Sequence, residues 1–353
     1  MAKLEPVTFK QAYRASEADG LSLFAAAPSM HVFANGEDGF PLVRTVHGVV
    51  VDGRIAFHAG DHGGKVSLLG RSVVLSVEQI VAEIPSTFID PVMACPATTY
   101  FRSATAHGTL VRVDDPQRKA RMLSALMQRF QPQGGYAPIT ADDPAYASAL
   151  APVLVAELVP VRVTTKHKLG QNRKRAVIEH VLEQLWERGD EGDLRAIRIV
   201  QEAHPERPLP AFLSGPGGTR FCVAPDAKDA EQVARLLEGQ YWTQGLSPRE
   251  LRDAQLGSNV WMVARDSQGV VVASVRALAD GARLAYVLDV IVRPDLRGTG
   301  LGTALMRLLL CHPRVRGVRG LRLRTRDAQS FYHELGFVTR AELSEEMVRL
   351  GTK

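Results

Sequence analysis

Two glycine-rich turns carry residue types suited to holding an anion. The first, RPDLRGTGLGTALM (Arg293–Met306), follows the apolar run LAYVLDVIV and opens a segment whose leucines recur at helical spacing, so it reads as strand, tight turn, helix. Such a turn points backbone N–H groups at whatever sits on the helix N-terminus, and phosphate is the usual guest. A dinucleotide fingerprint would need its third glycine where the chain has Thr303. A mononucleotide loop would need Lys followed by Ser or Thr at the helix start, and neither is there. What remains is R-x-x-G-x-G over Arg297, Gly298, Thr299, Gly300, Leu301 and Gly302, with a turn that holds no ligand as the alternative. The second turn, GDHGGK (Gly60–Lys65), ends a hairpin formed by the alternation in LVRTVHGVVV, an Asp52-Gly53 turn and RIAFHA. Lys65 then starts a short helical turn with Val66, Leu68 and Leu69. Glycine amides, a helix N-terminus and one lysine suit a terminal phosphate.

Elements of the right kind surround the first turn. DAEQVARLLEGQYW reads as a helix, NVWMVARDSQGVVVASVRAL as a hairpin turning near Ser267-Gln268-Gly269, and LAYVLDVIVRP as a buried strand. In GLRLRTRDAQSFYHELGFV, Leu321 and Leu323 alternate with Arg322, Arg324 and Arg326, giving a strand with one basic face, then a short helix and a turn at Gly336. The Arg297–Gly302 motif, this element order and the ending Phe331, Tyr332, Leu335, Gly336, Phe337 resemble the GNAT N-acetyltransferases. The resemblance implies an α/β fold with a mixed sheet flanked by helices, acetyl-CoA as cosubstrate and a small amine as acceptor. It implies that Val290, Ile291 and Val292 pair with the pantetheine arm, that Arg297 to Thr303 hold the pyrophosphate, and that Tyr332 protonates the departing thiolate. A phenol near its ordinary pKa of about 10 suits a thiol leaving group. The amine must lose a proton, and Asp289 is the candidate base; a purely structural carboxylate bonding backbone groups is the alternative. The arginines from Arg314 to Arg326 read as solvated surface or as a contact for the CoA 3′-phosphate. Nucleic acid is disfavoured, because no aromatic residues interleave them.

The second turn lies among further strands, VVLSVEQI and TTYFRSATAHGTLVRV, and one helix around RKARMLSALMQRF, which suggests a small β-barrel. Arg44-Thr45-Val46, Phe57-His58 and Lys65, with FHAGDHGGK, CPATTYFRS and KLGQNR, resemble the FMN-binding split barrels of the pyridoxamine 5′-phosphate oxidase-like superfamily, in the branch of nitroimidazole-resistance reductases and FMN-binding regulators. The resemblance implies FMN at the interface of a homodimer, held by Arg44, Thr45, Val46, His58 and Lys65, with Gly64 standing where the oxidases often have arginine. His47, His58 and His62 match no metal-binding helix motif. Flavin contact, solvation, or a haem ligand at His58 or His62 all remain open. Cys95, beside Pro96, reads as a packed thiol.

The whole chain agrees with two domains. Its 353 residues, 45% hydrophobic and 23% charged, suffice for about two domains of roughly 150 residues. MAKLEPVTFKQAYRASEADG has no apolar stretch suited to a signal peptide, and no run approaches the roughly 18 apolar residues of a membrane span, so a cytoplasmic protein is expected. Three cysteines and a net charge of +5 argue against a disulfide framework and for tolerance of anionic cofactors. Prolines and glycines in HPERPLPAFLSGPGG (His204–Gly218) mark the main boundary. Before it, Ile178, Val181, Leu182, Leu185 and Trp186 form one apolar helix face ended by Gly189, and Asp193 can cap a second helix. The expected organisation is a split barrel over 1–172, a helical connection over 173–213 and the acetyltransferase over 214–353, the last folding alone from about Gly218. The expected function is a flavin-dependent oxidoreductase-like domain, with nitro reduction as one option, fused to an acetyl-CoA-dependent N-acetyltransferase. The rival reading is a flavin- or haem-sensing regulator with a CoA-binding module.

Overall fold

The computed structural model describes residues 10–205 and 210–339; the chain ends and residues 206–209, inside the expected boundary, lie outside them. The chain divides after Arg173 into two compact units.

The first unit is rich in sheet. It runs β1 (Arg14–Ala15), α1 (Glu17–Ala26), β2 (Met30–Asn35), β3 (Pro41–Val46), β4 (Gly48–Val51), β5 (Arg54–Gly60), β6 (Ser72–Ile84), β7 (Thr98–Arg112), α2 (Pro116–Phe130), α3 (Pro144–Leu150) and β8 (Val153–Lys168). The strands form one eight-stranded sheet in the order β3-β2-β6-β7-β8-β5-β4, with β1 on β8. The expected run LVRTVHGVVV is two strands. β3 pairs with β2, and only β4 pairs with β5 across Asp52-Gly53, whose φ values of 50° and 73° give the hairpin turn that follows strand twist. The break falls before Gly48, where a Cβ would stand 2.4 Å from the Met30 methyl and 2.8 Å from the Ala56 carbonyl oxygen. Phe24, Met30, Val32, Phe57, Leu75 and Leu158 fill the core, and Met122 and Leu126 of α2 close a second cluster over Val49 and Val155. Buried Glu157 accepts from Arg54 at 2.6 Å and Arg118 at 2.7 Å, so its charge enters the interior already paired.

The second unit begins with α4 (Arg175–Arg188) and α5 (Asp193–Glu202), then β9 (Arg220–Cys222), α6 (Ala227–Leu237), α7 (Pro248–Leu256), β10 (Val260–Arg265), β11 (Val271–Ala279), β12 (Leu284–Val292), α8 (Leu301–Leu310), β13 (Gly320–Arg322) and α9 (Gln329–His333). The five-stranded sheet has the order β13-β12-β11-β10-β9, antiparallel except for β12 with β13. Capping boxes start α6 (Asp226 with Asp229) and α7 (Ser247 with Glu250). α6 is shorter than expected: it stops at Leu237, and Tyr241–Thr243 form a separate 3₁₀ turn after Gly239 at φ 75°. Gly189, at φ 65°, ends α4 as expected, but Asp193 does not cap α5. Its carboxylate takes two Arg188 donors and the Asp190 amide, and the cap position falls to Gly192. Both helices pack on the second unit: Trp186 stacks on Phe212 at 5.2 Å and meets His312 edge-on at 5.6 Å.

Candidate functional site

β12 pairs with β11 to its end, but with β13 only from Leu284 to Tyr286, so beyond Tyr286 its other edge has no strand partner among the described residues. The β11 register shifts between Ser274 and Arg276, and Asp289 takes φ 49° inside the resulting bulge. A side chain in that left-handed region costs roughly 1–2 kcal/mol. Its carboxylate is held from two sides: Oδ2 accepts from Arg276 Nε at 2.6 Å and from Gln255 Nε2 at 3.2 Å. The pair is largely enclosed, the side chains of Arg276 and Asp289 being 14% and 10% exposed. Val290 follows in the bulge, Ile291 is buried against α6, and Val292 pairs with Ala273.

The glycine turn begins after the 3₁₀ turn Pro294–Leu296. Arg297 folds back to give Nε to the Val292 carbonyl at 3.2 Å, and Thr299 donates its hydroxyl to Leu296 O at 2.7 Å. Gly298 and Gly300 have φ of 77° and 84°, and a Cβ on either would meet nothing within 4 Å. Gly300 is the N-cap of α8 and supplies no side-chain cap, which leaves the first-turn amides of Leu301, Gly302 and Thr303 facing that space. Gly302 is different: a Cβ there would lie 3.4 Å from Val292 and 3.6 Å from Phe331, so the helix start packs closely on α9.

Tyr332 is 9% exposed, edge-on to Phe331 at 5.0 Å and to Phe337 at 5.7 Å. Burial, with Tyr241 and Asp327 adding, pushes its phenol up to about 12. Among the described residues its hydroxyl has no hydrogen-bond partner, whereas the neighbouring Tyr241 hydroxyl donates to Asp327 at 3.3 Å and accepts the Arg326 amide at 3.1 Å. The Arg326 guanidinium covers the Tyr241 ring at 3.9 Å. Tyr241, Asp327, Arg276 and Gln255 were not singled out by sequence reasoning. The signal for Tyr241 was the stretch GQYWTQG, obscured once it is read as helix.

In the first unit a second cluster forms. Arg44, on β3, brings its guanidinium to the GDHGGK turn: a Cβ on Gly64 would lie 3.8 Å from Nη2. His58, exposed at the end of β5, has its pKa lowered first by desolvation and then by the charges of Lys65 and His47. Thr45 points outward, while Val46 belongs to the core at 1% exposure and offers only its backbone. Lys65 precedes a 3₁₀ turn of three residues, Val66–Leu68, too short for a helix dipole, and the Gly63 amide is already bonded to Gly60 O at 3.3 Å, so the residue types here suited to an anion are the cations Arg44 and Lys65. His62 is exposed, as is Cys95, which is therefore not the packed thiol expected.

Residues 16–167 match the family Pyridoxamine 5′-phosphate oxidase, and residues 257–339 match the Acetyltransferase (GNAT) domain. The chain joins a pyridoxamine 5′-phosphate oxidase-like domain to a GNAT domain. Among curated proteins, the chloroplastic serotonin N-acetyltransferase 2 of Oryza sativa subsp. japonica is 41% identical over 81 residues, 22% of this chain. The chain spans only 40% of that relative's length. A solved protein from Bacteroides thetaiotaomicron, assigned to 5-nitroimidazole antibiotic resistance, is 18% identical with a TM-score of 0.35, covering 43% of this chain and 83% of that one. A GNAT-family acetyltransferase from Xanthomonas campestris is 27% identical, also with a TM-score of 0.35, covering 39% of this chain and 96% of that one.

The GNAT domain therefore contains the glycine turn, the bulged strand and Tyr332 on neighbouring elements. Its residues fit an acyl-CoA pyrophosphate: two glycines at positive φ leave open the volume their side chains would fill, over amides without caps. In the oxidase-like domain Arg44 and Lys65 fit a flavin phosphate by charge, and the exposed glycines leave room for it. No helix among the described residues is long and apolar enough to cross a membrane.

Proposed function

We propose that the GNAT domain is an acetyl-CoA-dependent N-acetyltransferase acting on a small amine, and that the oxidase-like domain is an FMN-dependent oxidoreductase. One observation carries the first half: the uncapped start of α8 follows, across the glycine turn, a strand whose far edge has no strand partner beyond Tyr286 among the described residues. Pyrophosphate then lies on the amides of Gly298 to Thr303 beside Arg297, and the pantetheine amides pair with the backbone of Val290 to Val292 as an added strand. The amine nitrogen attacks the thioester carbonyl; the C–N bond forms, the C–S bond breaks, and the thiolate takes a proton from Tyr332. With its pKa pushed up to about 12, the phenol keeps that proton throughout the neutral range, but it is a weaker acid than the free side chain assumed from sequence. Oδ2 of Asp289 already accepts from Arg276 and Gln255, which leaves Oδ1 to take the amine proton, directly or through water. The name of the rice relative supports an amine acceptor.

In the oxidase-like domain Arg44 and Lys65 would grip the flavin phosphate, with His58 beside them; the bound flavin supplies the redox chemistry. Exposed Ile80 on β6 and Val159 and Val161 on β8 support a homodimer through the sheet face, and we place the protein in the cytoplasm. Two measurements test this reading. Tyr332→Phe keeps the ring packing and removes the hydroxyl, so acetyl-CoA affinity should persist while turnover of a screened amine falls by roughly 10²–10⁴-fold. Equal turnover would exclude the proton-donor role. Flavin absorption bands in the purified protein are expected from the first domain, and their absence after FMN titration would overturn that half.

A further inference from the structure

A cleft of about 310 Å³ lies in the second unit among the α4–α5 junction, Val223–Pro225, the end of α7, the start of β10 and the turn after α8. Leu194, Val223, Leu256 and Trp261 give it apolar walls. Ser258 and Asn259 also line it, but their side chains are spent internally, Ser258 on Ala254 and Arg276, Asn259 on both backbone groups of Ala279. Three donors are not spent. Arg195 and Arg314, both exposed, make no ion pair or side-chain hydrogen bond among the described residues. His312, 1% exposed, accepts the Arg314 amide on Nδ1 at 3.1 Å. Burial, helped by the charges of Arg314 and Arg316, lowers its pKa to about 4 and keeps the ring neutral, so the hydrogen bond to Nδ1 assigns the proton to Nε2. That buried Nε2 donor has no partner among the described residues.

The N-terminus of α5 reaches the same cleft. Gly192 provides no side-chain cap, and Asp193 is turned away onto Arg188, so the amides of Leu194 and Arg195 remain open. Two acidic residues line the cleft, Asp190, paired with Arg188 at 3.2 Å, and exposed Glu191. Every other unspent polar side chain there is a donor.

We propose that this cleft is a further ligand site of the second unit, taking a small molecule that carries one carboxylate on an apolar body. The carboxylate accepts from His312 Nε2, the α5 amides and the two guanidiniums, and the body rests on Leu194, Leu256 and Trp261. The site is separate from the glycine turn, which sits at the other end of α8, about 15 Å along its axis. It stands whether or not the domain acetylates amines.

Benzoate is a suitable probe, with benzamide as its neutral isostere, on the full-length protein. Benzoate should bind saturably with Kd below about 10 mM, and shift the His312 Nε2 resonance in ¹⁵N-histidine-labelled protein. Arg195→Glu combined with Arg314→Ala, both at exposed positions, should weaken benzoate at least about tenfold while acetyl-CoA affinity is unchanged. Benzamide should bind more weakly than benzoate. No saturable benzoate binding, no movement of the His312 signal in the parent protein, or equal affinity for the two probes would overturn the assignment, as would a folded double variant that binds benzoate like the parent.

Discussion

Breaking the Arg276–Asp289 pair tests whether a buried charge pair is what holds the bulge of β12 open. Arg276→Ala leaves the Asp289 carboxylate, 10% exposed, with Gln255 as its remaining side-chain donor. Losing one partner of a buried pair costs about 3–5 kcal/mol. Asp289→Gly in the same chain removes the stranded charge and also relieves the φ of 49°, where glycine avoids a penalty of roughly 1–2 kcal/mol. The double variant should therefore recover at least about 2 kcal/mol relative to Arg276→Ala, a coupling within the range seen for residues in contact. Denaturant unfolding of the isolated second unit, read by tryptophan fluorescence, gives the four corners of the cycle. Acetyl-CoA affinity measured on the same proteins asks whether the bulge survives: the double variant should bind like the parent, and Arg276→Ala more weakly. Additive stabilities within about 0.5 kcal/mol, or a double variant that binds no better than Arg276→Ala, would refute the idea that the pair maintains the strand opening.

Gly300→Val should abolish acetyl-CoA binding by calorimetry, because it fills the space over the α8 amides and forces a β-branched residue to φ 84°. Lys65→Ala should weaken FMN by about 1.5–3 kcal/mol, ten- to a hundredfold, in a titration of the apo-protein. His312 has its folded pKa depressed to about 4, so its neutral form contributes stability present above the unfolded value near 6.5 and lost as the pH falls toward 4. The loss should reach about 3 kcal/mol, and His312→Leu should flatten that part of the stability profile measured by urea unfolding.

Features that depend on a few consecutive residues could be read from the sequence. The glycine turn, the amphipathic face of α4 with its Gly189 stop, and the Asp52-Gly53 turn each follow from local sterics and periodicity, and each is in place. Features set by distant partners could not. Nothing in LAYVLDVIV marks Asp289 as left-handed, since the bulge exists only against β11 and its support comes from Arg276 and Gln255, thirteen and thirty-four residues away. The run LVRTVHGVVV alternates without interruption, and only the contact of Gly48 with Met30 and Ala56 shows why it divides. Asp193 has the chemistry of a cap, but Arg188, one helix earlier, claims its carboxylate. For Tyr332 the position in the motif was legible while its acidity was not, because burial, which raises the phenol, is a property of the packed fold.

The helical hairpin of α4 and α5 sets where the second domain can be cut. Trp186 covers His312, Gly189 sits against Pro313 so closely that a Cβ would lie 2.3 Å from its ring, and Arg316 pairs with Glu187 at 2.8 Å. A fragment begun near Gly218, as the proline- and glycine-rich stretch suggests, would discard all of these and expose the apolar surface that Trp186 and Phe212 close; one begun at Lys174 keeps them. The imidazole then serves as a built-in gauge of fragment quality. In a fragment with the hairpin docked, its proton signals should titrate with a midpoint near 4, and in a truncated one near 6.5 like a free histidine.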